Sequence, residues 1–568
     1  MYHFNITTMK KNLYKLFSVF LLSILAASCS KKLEEQPKSV LTPIFLSTAQ
    51  GLQSGLDAAY AGNRNIYGPE QFFSLTVPGT DEFTAGSDAG SNGDIGRYNS
   101  SFNSSNNSVS TTWRYLYTFI NTCNGVIDNA PKVTTISADK QNQAIAEAKF
   151  LRANYYFLLV QLWGDVSLNT SFQTEPATSA TKASLSDVYK VIVQDLTDAA
   201  NILPASPKTT GVLPGKATKA AALHLLAKVY LTRAGSSAKA ADDYQNALAL
   251  AAEVINTIAP AGGLALQTDF GSVFAEGNEG NSEVLWTVQH TPTLAYNGPG
   301  GYVDGDNALC HFFIPKYDNQ PGLKRDILYG RPFMRVAPTH FLTDVVFSER
   351  INDKRYNHTF KTSWLANNAA NIPQSGGKPS YAVGDTAISL PGYEVSAAYL
   401  ATRPWQVIPP SKYTNAFAPS LKKYYDTKRT DVALPSIRPI IVYRLADTYL
   451  MAAEAAFMQG NSSDAIRYMN AVRERAAYPS ANPKVMDVTA ADLSIDFILN
   501  ERSRELAGEE MRWFDLVRTG KLLERVKAYN PDAATNIQPK HLLRPIPQSQ
   551  IDATSTGTPY PQNAGWYN

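Results

Sequence analysis

Cysteine is scarce in this chain, with only Cys29, Cys123 and Cys310 among 568 residues. Two or three thiols make no disulfide framework at this size, and no CxxC or Cys/His metal spacing is present. Cys123 and Cys310 read as buried, unpaired core residues, although a pair in an oxidising compartment stays open. HExxH, GxSxG and metal-spaced histidine pairs are also missing. "GVLPGKAT", Gly211 to Thr218, fails as a phosphate loop: three residues separate its glycines where four are needed, and Ala217 replaces the magnesium-binding hydroxyl. A calcium loop starting at Asp304 in "DGDN" would need glutamate at its twelfth position and has Pro315. No cofactor is therefore expected. A structural calcium ion is left open, with no residue indicating it.

An excess of charge is lacking as well. Lys and Arg total 52 against 49 Asp and Glu, and removing Lys10, Lys11 and Lys15 with the first 28 residues leaves the two balanced. Such a chain has no overall electrostatic footprint for a nucleic-acid backbone. The N-terminal apolar run "LFSVFLLSILAA", Leu16 to Ala27, is too short to cross a bilayer of about 30 Å as a helix. With the basic residues before it and "AAS" leading into Cys29, it reads as an export signal over residues 1–28, started at Met1 or Met9. "LAASC" resembles a bacterial lipobox, with Ala26 where many have Leu or Val. Cys29 would then carry the acyl chains that hold the protein on a membrane without crossing it.

A polar tether, residues 29–42, precedes one long domain, 43–568. Its first part, about 43–260, shows helical periodicity, beginning with "STAQGLQSGLDAAYAG". Further helices are expected over "TTWRYLYTFINTCNGVIDNA", "DKQNQAIAEAKFLRANYYFLLVQLWGDV" and "LSDVYKVIVQDLTDAANILP", the last with Ser186 as N-cap. "KATKAAALHLLAKVYLTRAG" and "DDYQNALALAAEVINT" complete a series in units of some 35 to 45 residues that resembles tetratricopeptide repeats. Residues 79–110, rich in Gly, Ser and Asn, read as a long surface loop with a binding role. Between about 262 and 439 the helical pattern stops. "SEVLWTVQH" reads as a strand, and aromatics stand alone in polar surroundings: Tyr296, Tyr302, Trp364, Tyr381, Tyr393, Trp405, Tyr413. Helices return over about 440–525, and an irregular Pro-rich tail runs from 526 to 568.

"ERSRELAGEEMRWFDLVRTGKL" resembles the C-terminal signature of the SusD/RagB family, the starch-binding SusD-like outer-membrane lipoproteins of Bacteroidetes. "AEAKFLRANYYFLLVQLWGDV", "RLADTYLMAAEAAFMQG", "AIRYMNAVRERA", "LLRPIPQSQI" and "YPQNAGWYN" agree in order. The resemblance implies a mainly α fold: a tetratricopeptide-like body of about four helix pairs, with an irregular, loop-rich lobe containing short strands. It implies glycan capture without catalysis, at the cell exterior, for a SusC-like TonB-dependent transporter, with peptide or glycopeptide cargo as an alternative. One departure stands out: the family often has Glu-Gly-x-Arg where this chain has "EEMR", with glycine at Gly508 instead.

A glycan site needs flat apolar faces for sugar C–H groups, with amide, carboxylate or guanidinium groups reaching the hydroxyls. Asp81, Arg97, Tyr98 and Asn99 from the first loop and Tyr296, Trp364 and Trp405 from the lobe are the candidates. Trp113, Trp163, Trp286 and Trp513 are assigned to the core. A lipid-anchored glycoside hydrolase would need two carboxylates about 5 to 10 Å apart, and adjacent Asp81 and Glu82 point in different directions in an extended loop. A repeat-protein adaptor is the third reading, and the aromatics in polar loops argue against it. The charged stretch Asn500 to Gly520 reads as scaffolding. Ile495, Leu499, Leu506 and Trp513 form one apolar stripe, and Glu501–Arg504, Glu509–Arg512 and Asp515–Arg518 pair at i, i+3 on the helix surface.

Overall fold

The structure, a computed structural model, describes residues 43–293, 296–297, 306–479 and 482–566. The signal segment, the tether, Cys29, Tyr302 and Asp304 lie outside the described residues. The helices expected from periodicity are present: α1 Ala49–Ala61, α2 Asn107–Asn129, α3 Ala138–Trp163, α4 Leu185–Ile202, α5 Lys219–Ala234 and α6 Asp243–Glu253 before the lobe. After it come α7 Leu445–Met458, α8 Ser462–Ala476, α9 Ile495–Leu506, α10 Arg512–Arg518 and α11 Leu522–Tyr529. Polar N-caps start many of them. Asn106 accepts from the Ser108 amide at 2.9 Å and Ser494 from the Phe497 amide at 3.1 Å, each satisfying a donor the helix itself cannot. The cap of α4 is Ser184, which accepts from the Asp187 amide at 3.1 Å, and not Ser186, which lies inside the helix.

Helices α1 to α8 pack as four successive pairs, each against the next. In α3, Phe150, Leu151, Tyr155, Leu159 and Trp163 are buried all round, as are Ala220 to Val229 of α5, the pattern of central helices. Helix α4 buries one face, including Val188, Tyr189, Ile192, Leu196 and Ala199 at three- and four-residue spacing. All four tryptophans assigned to the core are at most 4% exposed. Cys123 and Cys310 are buried and free.

Strand β1 is Phe83–Ala85, β2 is Val284–Val288, β3 is Val336–Pro338 and β4 is Ser363–Leu365. Then follow β5 Thr386–Ser389, β6 Gln406–Val407 and β7 Ile440–Arg444. β7 pairs antiparallel with β2, Ile440 opposite Val288, and the Leu445 amide donates to the Glu283 carbonyl at 2.8 Å. The lobe thus departs and returns at one place, which lets α6 pack on α7 although some 190 residues separate them. The lobe has its own core around β4, β5 and β6, where Trp364, Tyr317, Tyr329, Ile388 and Phe417 meet.

The stretch 79–110 is a correction: it is not a surface loop. It contains β1 and a short helix Gly93–Arg97, and it buries Phe83, Ile95, Tyr98 and Phe102 in the main core. Composition concealed this, because a few apolar residues anchor many small ones.

The charged stretch departs from expectation in one respect. Helix α9 stops at Leu506, and Gly508 and Glu510 both adopt left-handed backbone, φ 76° and 61°, before α10 begins. Glu510 occupies the position where the family signature has glycine, a conformation that costs a side-chain-bearing residue roughly 1–2 kcal/mol. The break rotates the partners. Glu501–Arg504 (2.8 Å) and Asp515–Arg518 (2.7 Å) pair as expected, but Glu509 pairs with Arg444 and Lys423, and Arg512 with Asp81. These pairs are buried, not superficial. Glu505 accepts from Arg444 at 2.6 Å, from Arg355 at 3.1 Å and from Arg475, tying α9 to the lobe, β7 and α8. Burial would raise its pKa, but Arg475, Arg444 and Arg355 outweigh that and hold it low.

Candidate ligand-binding cleft

Four distant segments form an open cleft of about 900 Å³. Pairing of β1 with β3 places Thr84 opposite Ala337 at its floor. Beyond β3 a widened helical turn, Phe341–Val346, supplies Phe341, Asp344 and Val345, with His340 just before it. Tyr413 to Asn415 close one side, and the Asn415 carbonyl accepts from the Ser87 amide at 2.8 Å. The C-terminal end of α11 and the turn Pro531–Ala534 close the other.

Aromatic faces define the cleft. Tyr529 stacks on Phe341 with centroids 4.1 Å apart and 22° between planes, and Tyr529 remains 37% exposed. His340 lies parallel to Tyr413 at 6.2 Å, and its Nδ1 is 2.9 Å from the Asp344 carboxylate. Polar groups are interspersed: the Thr84 hydroxyl donates to Asp532 at 2.8 Å, and Lys527 and Asn415 are exposed at the rim. Behind the stacked pair, the Arg525 guanidinium lies 4.9 Å from the Phe341 ring centroid and 5.4 Å from that of Tyr529, a favourable cation–π arrangement.

Asp81, expected to touch ligand, instead secures this wall. It is fully buried and accepts from Arg512 at 2.7 and 2.6 Å and from Arg525 at 2.7 Å. Burial pushes its pKa up, and the two guanidiniums more than reverse that, keeping it below the usual carboxylate range. Tyr98 is also a correction: it is 2% exposed, with its hydroxyl donating to the Gly79 carbonyl at 2.7 Å. Trp364 is the third, 0% exposed at the centre of the lobe core, 5.4 Å from Phe417. Each is removed from solvent because the segment around it packs inward.

The remaining candidates do not converge. Arg97 and Asn99 are half-buried; the Arg97 carbonyl accepts from Asn536 at 3.0 Å and the Asn99 amide donates to Asp94 at 2.6 Å. Tyr296 is 73% exposed, its carbonyl bound by Arg64 at 2.9 Å on the α1 side of the molecule. Trp405 is half-buried beside Arg403, whose guanidinium lies 4.3 Å from Tyr399 and 5.4 Å from Trp405. Sequence reasoning noted Tyr413 only as a lone aromatic and missed His340, Phe341 and Tyr529. No local pattern marks them, since the cleft exists only where residues from about 70 to about 450 positions apart are folded together.

The two carboxyls with the largest upward shifts, Glu82 and Glu510, lie elsewhere. Burial, opposed by Arg512, brings Glu82 to about 7, and burial alone brings Glu510 to about 8, yet both are at most 4% exposed and out of a substrate's reach. Among the described residues no group of three His, Cys, Asp or Glu is placed to hold a metal ion. No helix among them is long and apolar enough to cross a membrane.

Two family models match this chain in order: one described as starch-binding associating with outer membrane, over residues 33–231, and one described as the SusD family, over 338–566. The chain belongs to the SusD/RagB family. The C-terminal match includes the charged stretch and every cleft residue except Thr84 and Ala337. SusD-like protein P25 of Formosa agariphila is 25% identical over 563 residues, covering 93% of this chain and 96% of that one. The fold also matches a crystal structure of a SusD homolog from Bacteroides thetaiotaomicron, with TM-score 0.71 and 24% identity over 92% of this chain and 98% of that one. A laminarin-binding SusD-like protein matches with TM-score 0.65 and 24% identity, covering 91% of this chain and all of the other. The mainly helical architecture with its repeat-like pairs is thus that of SusD relatives.

Proposed function

We propose that this SusD-family chain is a noncatalytic glycan-binding lipoprotein, anchored through Cys29 at the outer surface of the outer membrane. It captures oligosaccharide or polysaccharide in the cleft and delivers it to a SusC-like TonB-dependent transporter. The observation that carries this reading is the exposed Tyr529 face, stacked on Phe341 and ringed by Thr84, Asp344, Asn415 and Asp532. A sugar ring lays its C–H face on such an aromatic while its hydroxyls reach the surrounding acceptors and donors. The laminarin-binding relative and the outer-membrane description of the N-terminal family model support the same reading. The Trp405, Arg403 and Tyr399 group offers a longer chain a further contact.

A glycan array on the mature protein identifies the cargo, and Tyr529→Ala then tests the cleft. Loss of one stacking face lowers affinity about tenfold, equivalent to ~1.4 kcal/mol. Unchanged affinity in Tyr529→Ala and His340→Ala alike removes the cleft from the binding site. Release of reducing ends from a polysaccharide panel would replace the binding reading with hydrolysis, and binding of peptides in place of sugars would favour peptide or glycopeptide cargo.

A further inference from the structure

A second hollow, of 530 Å³, lies on the helical body where the end of α3, the start of α4, the end of α5, α10 and the C-terminal tail meet. Much of its wall is aliphatic: Leu185, Val517, Leu523, Leu542 and Leu543 are all only partly buried and line the hollow, whereas Arg518, also in the lining, is committed to Glu454 and Asp515. Such half-covered branched side chains gain by being covered, at about 25 cal/mol for each Å² removed from water. The size lies within the range of small-molecule sites, which combine apolar walls with a few convergent polar groups.

The polar groups here are specific. Lys182 has one hydrogen-bond partner among the described residues, the Asn563 side-chain carbonyl at 2.8 Å, and no carboxylate within ion-pair distance. Burial draws its pKa down, with Asp165 acting in the opposite sense. Asp165 is itself held by the Leu185 amide, which donates to one of its oxygens at 2.7 Å. Thr232, on α5, is 7% exposed and lines the hollow, and its hydroxyl has no hydrogen-bond partner among the described residues. A partly desolvated ammonium with spare donors and an unpartnered buried hydroxyl thus border an aliphatic chamber.

We propose that this hollow is a ligand site separate from the glycan cleft, taking a molecule with a carboxylate on an aliphatic body. The carboxylate accepts from Lys182 at the rim, and the aliphatic part covers the leucines. No bond is made or broken. Neighbouring Asp165 opposes an incoming anion, so its charge sets an upper limit on affinity that a neutral residue lifts.

Titration calorimetry of the mature protein with sodium decanoate, below its micelle concentration, tests this. One saturable site is expected, weakened at least tenfold in Lys182→Met and equally weak for 1-decanol on the unaltered protein. Asp165→Asn, which keeps an acceptor for the Leu185 amide, tightens binding. N-acetyl-leucyl-leucine presents the same chemistry from a peptide source, and the tighter of the two ligands identifies which source is used. Lys182→Met keeps the stem packed, its melting temperature checks its fold, and its glycan affinity is expected to be unchanged. The decanol comparison stands whether or not the variant folds. The proposal is overturned if neither carboxylate saturates a site, if decanol binds as well as decanoate, or if folded Lys182→Met binds as the parent does. Weaker binding by Asp165→Asn overturns it in favour of a zwitterionic ligand.

Discussion

Glu510 makes the protein's stability depend on pH in a way that one isosteric change removes. The residue is 4% exposed, its Oε1 has no hydrogen-bond partner among the described residues, and burial alone lifts its pKa from 4.5 to about 8. The unfolded chain releases this proton above pH 4.5, whereas the folded protein holds it until about pH 8, so stability is greatest below 4.5 and falls between the two values. Integrating from pH 5 to pH 8 gives a loss of ~3.5 kcal/mol attributable to this residue. Glu510→Gln keeps the shape and the backbone conformation but cannot ionise. The difference in unfolding free energy between parent and variant should therefore shift by roughly that amount across the interval, in favour of the variant at pH 8. Glu82, raised to about 7, contributes the same way in both proteins and cancels. Urea denaturation of the two at pH 5, 6, 7 and 8 measures the difference directly. A constant difference across that range would mean that Glu510 is ionised in the folded protein, and would refute the reasoning.

Other outcomes test the scaffold and the anchor. Glu505→Ala leaves Arg355, Arg444 and Arg475 without a shared buried partner and should cost about 3–5 kcal/mol; glycan affinity of the folded fraction stays intact, and reduced affinity at unchanged stability would overturn its structural role. Trp364→Ala empties the centre of the lobe core and should cost about 3–5 kcal/mol in unfolding free energy, in contrast to Tyr529→Ala, which should weaken binding with little change in melting temperature. If Trp364→Ala melts like the parent, the lobe core is not where the structure puts it. Cys29→Ser should move the exported protein from the membrane pellet to the soluble fraction, and retention in the pellet would argue for another means of attachment.

Much of the architecture was legible because local chemistry repeats. Apolar spacing located α1 to α8 and the run around Trp286 read as a strand, whereas the one cap read from the sequence, Ser186, fell two residues inside the helix that Ser184 caps. The same logic put Trp113, Trp163, Trp286 and Trp513 in the core, where they are. It failed at 79–110, where small polar residues surround the few that anchor the segment. It also failed at Glu509 and Arg512, where the left-handed residues Gly508 and Glu510 break the helix and exchange the partners.

The sequence by itself determined the helix-forming stripes and the family, since both are written in neighbouring residues. Tertiary structure alone decided which aromatics face solvent. Trp364 and Tyr98 looked like sugar platforms and are buried; Tyr529 and His340 drew no notice and line the cleft. Exposure depends on which distant segments fold over a side chain. The pairing of β1 with β3, and the reach of Arg512 and Arg525 to Asp81, bring together residues more than 250 positions apart.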